Sequence, residues 1–118
     1  YAADTGAATH RRGLYTFVYR ASPPPSLTVF DAPEGFSSCT RRIRSNTPLQ
    51  ALTLMNDSGF FEFATALKKI IDKDGLETAF KRCTARAPKP DELAVLKKLD
   101  SLNAARALLN LDETVTRE

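Results

Sequence analysis

The chain has 118 residues, of which 42% are hydrophobic and 26% charged, the length and balance of one small globular domain. No apolar run approaches the ~18 residues of a membrane span. The start, Tyr1-Ala2-Ala3-Asp4, has no initiator Met, basic n-region or apolar h-region, so the sequence reads as a piece of a longer chain with no visible signal peptide.

Seventeen basic and fourteen acidic residues give a net charge of +3. The excess lies in the first fifty residues, where Arg11, Arg12, Arg20, Arg41, Arg42 and Arg44 face only Asp4, Asp31 and Glu34. Arginine suits sites where a planar fork must meet carboxylates, phosphates or carbonyls. The remaining residues are charge-balanced, and their lysines suit solvated helix faces. So small a net charge, with no recognised binding motif, argues against nucleic acid as a partner.

Residues 1–10 are small and polar. Tyr15, Phe17 and Tyr19 then alternate in a run rich in aromatic and β-branched residues, the pattern of a strand. Ser22-Pro23-Pro24-Pro25 is expected to be extended, because each proline biases its predecessor away from the helix. Leu27-Thr28-Val29-Phe30 is a second β-like run, closed by Asp31-Ala32-Pro33 and a loop through Gly35.

Thr47-Pro48-Leu49-Gln50 is the sharpest boundary, with a capping hydroxyl, a proline at the first helical position and Gln at the third. A helix follows through Leu49, Leu52 and Met55. Asp57 recaps a second helix, whose core stripe is Phe60, Phe63, Ala64, Leu67, Ile70 and Ile71 and which Gly75 ends. A third carries Leu76, Ala79, Phe80 and Cys83. Pro88 and Pro90 break the chain. A fourth helix has Asp91 and Glu92 in its first turn, Lys97 and Lys98 near its end, and Leu93, Val95, Leu96 and Leu99 as its buried positions. A last helix holds Leu102, Ala105, Leu108 and Leu109, and the tail from Asp112 is polar. The fold expected is mainly α. Residues 1–46 form an extended, Pro-rich wrapping segment with one or two short β-like runs, and 47–118 a small helical bundle, together one domain.

Several residues invite a chemical reading. Arg41, Arg42 and Arg44, with Arg11 and Arg12, would suit an anionic ligand such as a sulfated or uronic polysaccharide. The alternative is that they tie an irregular loop to the bundle through Asp31, Asp57 and backbone carbonyls. Asp31 and Glu34 are candidate paired carboxylates, although Asp31 also fits a turn before Pro33. Cys39 and Cys83 allow at most one disulfide in an oxidising compartment, with two buried thiols as the alternative. Cys39 beside Arg41 and Arg42 would be reactive if exposed. Together with His10 the cysteines make three scattered ligand types, short of the about four a zinc site needs, so no metal site is expected. A CxxCH haem attachment is absent from the sequence, and no cofactor is expected in this chain.

The order and spacing of several segments are specific. They are Arg11-Arg12-Gly13-Leu14-Tyr15-Thr16-Phe17, Ser22-Pro23-Pro24-Pro25-Ser26, Phe30-Asp31-Ala32-Pro33, Cys39-Thr40-Arg41-Arg42, and Asn46-Thr47-Pro48-Leu49-Gln50-Ala51-Leu52 running into Met55-Asn56-Asp57. In these the chain resembles the C-terminal domain of unknown function of planctomycete cytochrome-c-associated proteins. A weaker match continues at Ala85–Leu93 and at Ala107–Glu113. The chain departs from that pattern between Leu99 and Leu102, where members place tens of residues.

The resemblance implies a parent protein that is extracytoplasmic, periplasmic or secreted, with haem c in another module. It implies a structural or binding role against the preceding domain. The alternative is part of a redox-linked enzyme acting on carbohydrate, with Arg12, Asp31, Arg41, Arg42 and Asn46 lining a site shared with that domain.

Overall fold

A computed structural model of the chain describes residues 6–19, 21–33, 35–41, 43 and 45–116. The fold is mainly helical, as expected, and no strand occurs among the described residues. The chain divides into two compact units, Tyr1–Ser45 and Asn46–Glu118.

Among its described residues the first unit holds two 3-10 turns, Gly6–Thr9 and Gly13–Tyr15, and one short helix, α1, at Pro25–Val29. Both expected β-like runs are corrected here. Tyr15 closes a 3-10 turn, and among the described residues that follow there is no strand, only an isolated bridge between Tyr19 and Ser22. Alternation needs a second strand and a buried face to become a sheet, and Tyr15, Phe17 and Tyr19 are all exposed. Leu27-Thr28-Val29 is helical because Pro25 occupies the first helical position, where its missing N–H costs nothing. The Leu27 and Thr28 amides both donate to the Pro24 carbonyl.

The second unit contains α2 (Pro48–Asn56), α3 (Ser58–Asp74), α4 (Leu76–Thr84), α5 (Pro90–Leu96), α6 (Ser101–Leu109) and α7 (Asp112–Val115). The capping box at Thr47 forms as its sequence predicts. The Gln50 amide donates to Thr47 Oγ1 (3.3 Å) and the Thr47 amide to Gln50 Oε1 (3.2 Å). Asp57 ends α2 and begins α3, accepting from the amides of Gly59 (2.8 Å) and Phe60 (3.4 Å). Gly75 alone separates α3 from α4. Its φ of 87° and ψ of 160° lie in a region essentially reserved for glycine. Ala85 closes α4 in the left-handed conformation.

The longest helix, α3, packs along α6 and α4. The core is Ala64 and Leu67 of α3, Ala79 and Phe80 of α4, Leu96 of α5, and Ala105 and Leu108 of α6. Three of these are alanines, which lets the helix axes approach closely around the two largest buried side chains, Phe80 and Leu108. Lys68 bridges to Asp72 on α3 (3.0 Å). The Asp72 carboxyl is held below its ordinary value first by a hydrogen bond from Ser101 at the start of α6, then by Lys68.

Several expected core positions lie outside that core. Phe63 is 46% exposed. It packs edge-on against Phe60, with ring centroids 5.7 Å apart. Of the fourth helix only Leu96 is buried, while Val95 and Leu99 are 60% and 42% exposed. The polar tail contains a further turn of helix, α7, which the sequence pattern does not announce.

Candidate functional site

The cleft of the second unit is built around one arginine. Arg86 follows the left-handed Ala85 and precedes the Pro88–Pro90 break, so its backbone is fixed on both sides. Its guanidinium lies over the Phe80 ring, 5.0 Å from the centroid. Nε donates to Glu113 Oε2 (2.8 Å) and Nη2 to Glu113 Oε1 (2.9 Å). Nη1 and Nη2 donate to the two oxygens of Glu92 (2.8 and 2.6 Å), and Nη1 also donates to the Ala87 carbonyl (3.1 Å). All five N–H donors of the guanidinium are therefore engaged.

Glu92 belongs to the first turn of α5 and also accepts from the Lys89 amide (2.7 Å). Arg86 and that amide together lower the Glu92 carboxyl from 4.5 to about 2. Arg86 lowers Glu113 in the same direction, and the two carboxylates raise the guanidinium further above its ordinary range. The cluster is a clamp joining the end of α4, the start of α5 and α7.

Beside the clamp opens a cleft of about 600 Å3, whose surface is overwhelmingly apolar. Val95 of α5, Leu99 just beyond that helix, Ala107 of α6, Leu111 and Phe80 line it. Asp91, Glu92, Asp112 and Glu113 stand among its lining residues with Arg86. Val95 and Leu99 are exposed because they face this cleft.

The residues singled out from the sequence occupy separate places. Arg12 is exposed and stacks on its neighbour Tyr15, 5.7 Å from the ring centroid, with Nη2 donating to the phenolic oxygen (3.4 Å). Asp31 adopts a left-handed backbone, φ 57°, and closes a loop by accepting from the Ser45 amide (3.2 Å) and hydroxyl (2.5 Å). Arg41 is exposed. Asn46 belongs to the other unit and donates through Nδ2 to Asp112 Oδ1 (2.9 Å), tying the start of α2 to α7. Arg42, Arg44 and Glu34 lie outside the described residues. Cys39 is an exposed free thiol, neither bridged to Cys83 nor buried. Cys83 is a half-buried free thiol at the edge of the core, and burial pushes it up from its ordinary value. Among the described residues no group of three or more His, Cys, Asp or Glu is placed to hold a metal ion. None of their helices is long and apolar enough to cross a membrane.

The clamp itself is hard to find in the sequence. Arg86 and Glu92 flank the proline break six residues apart, a faint signal. Glu113 comes 27 residues after Arg86, and no periodicity links them.

Compared with protein-family models, residues 1–99 match PSD1, a protein of unknown function (DUF1553). The chain belongs to this family. The matched span contains Arg86, Glu92 and the α5 wall of the cleft, and ends before α6 and α7. No curated protein matches the chain, and no solved structure does.

Proposed function

We propose that the chain is a structural and binding domain of a larger protein, acting through contact at its helical unit. One observation carries this reading. Helix α2 is turned inside out: its buried residue is the polar Gln50, while Leu49, Leu52 and Met55 are 58%, 56% and 43% exposed. Spaced at i, i+3 and i+6, these three share one helical face. An apolar helix face of this kind marks a site of contact with another protein surface. Its partner in this proposal is the preceding domain of the parent chain.

An extracytoplasmic, cytochrome-c-associated parent with haem c in a separate module is part of the same proposal, supported by the resemblance of the motifs between Arg11 and Asp57. Hydrogen exchange tests the contact. The α2 amides are expected to exchange at least ten-fold more slowly in the parent protein than in this chain alone. Equal protection of α2 in the two would overturn the reading.

A further inference from the structure

A second surface of the helical unit has a different chemistry and needs no parent domain. We propose that the cleft beside Arg86 binds a small amphipathic cation, with an aliphatic body and an ammonium or guanidinium head. Three features support this.

The first is the cleft's size and wall. About 600 Å3 lies within the range of roughly 300–1,000 Å3 typical of small-molecule sites. Its wall is made by Val95 of α5, Leu99 three residues past the end of that helix, Ala107, Leu111 and Phe80. Those groups suit an alkyl chain and offer it few polar atoms.

The second is the charge. Among the described residues four carboxylates, Asp91, Glu92, Asp112 and Glu113, line the cleft with the Arg86 guanidinium. Among the described residues Lys89, whose amide Glu92 holds, is a further cation acting on Glu92 and Glu113. The balance is negative, and a low-dielectric wall focuses such a field on the bound molecule.

The third is that Arg86 is not available to an anion. Its five N–H groups are taken by Glu92, Glu113 and the Ala87 carbonyl. An anionic ligand would meet carboxylates with no free fork to answer it. A cation meets Asp91 and Asp112, which lie outside the Arg86 clamp. Asp112 already accepts from Asn46 and Thr116, so it is fixed in place.

The test uses two probes with the same tail and opposite heads, n-octylammonium and n-octanoate, titrated into the full 118-residue chain and followed by amide NMR shifts. Octylammonium is expected to shift Val95, Leu99, Ala107 and Leu111 saturably and to bind at least five-fold more tightly than octanoate. Asp91→Asn is expected to narrow that preference by about two- to five-fold, the scale of one exposed charge. Val95→Lys, at a site exposed enough to keep the fold, places a cation in the cleft and should abolish binding with an unchanged circular dichroism spectrum. Equal or tighter binding of octanoate, no binding of either probe, or shifts centred on α2 would each overturn the proposal. Because α2 exchange in the parent protein is read separately, failure here leaves the proposed docking face standing, and the reverse holds too.

Discussion

Arg86 shows how much one side chain can organise when every donor has an acceptor. A lysine there has three donors on a flexible stem and no fork to meet two carboxylates side by side. The pH dependence follows from the depressed carboxyls. Glu92 falls from 4.5 to about 2 on folding and Glu113 moves the same way. A folded-state value below the unfolded one means that the folded state binds protons less readily. The stabilisation is therefore complete above about pH 4.5 and is lost as pH falls towards 2. Asp72 and Asp100 shift in the same direction and add to the acid sensitivity. Glu92→Gln removes its share of this dependence. Its melting temperature is expected to lie below the wild type at pH 7 and to converge with it near pH 2, which thermal melts across that range will show. Parallel curves at all pH values would contradict the clamp.

At the level of the element, helix ends are governed by local chemistry and helix faces are not. Thr47, Pro48 and Gln50 fix the start of α2 through two reciprocal hydrogen bonds, and Asp57 both stops α2 and starts α3. Thr47→Ala leaves the Gln50 amide without its acceptor. A loss of about 1 kcal/mol, within the usual range for a lost cap, is expected in urea unfolding, with little change in the m-value. Which way a helix faces is another matter. Leu49, Leu52 and Met55 have the spacing of a core stripe, yet α2 turns them outward and buries Gln50. Val95 on α5 and Leu99 just beyond it follow the same course. The aromatic alternation from Tyr15 to Tyr19 has a strand's period, but with no partner strand it yields one bridge.

Across the helical unit, the core is small and depends on few large side chains. Phe80 and Leu108 are its largest fully buried members, and alanines fill much of the remainder. Phe80 also carries the Arg86 guanidinium on its face, so packing and clamp share one residue. Phe80→Ala should cost about 3–5 kcal/mol through lost burial and the cavity left behind. Against a typical total of about 5–15 kcal/mol, this is enough to lower the unfolding midpoint in denaturant sharply. A midpoint within error of the wild type would mean that the core lies elsewhere.

The sequence by itself determined the mainly helical class, the starts of α2 and α3, the breaks at Gly75 and at Pro88–Pro90, and most of the core on α3, α4 and α6. Caps, prolines and i, i+3, i+4 stripes act over one or two turns, so neighbouring residues are enough to specify them. The tertiary structure decided the outward face of α2, the added turn α7 and the union of Arg86 with Glu92 and Glu113. It also placed Asp31 and Asn46, near in sequence, in separate units, each with its own partner. Those outcomes depend on which surfaces meet after the chain has folded back, and Glu113 reaches Arg86 only because α6 returns the chain across the core.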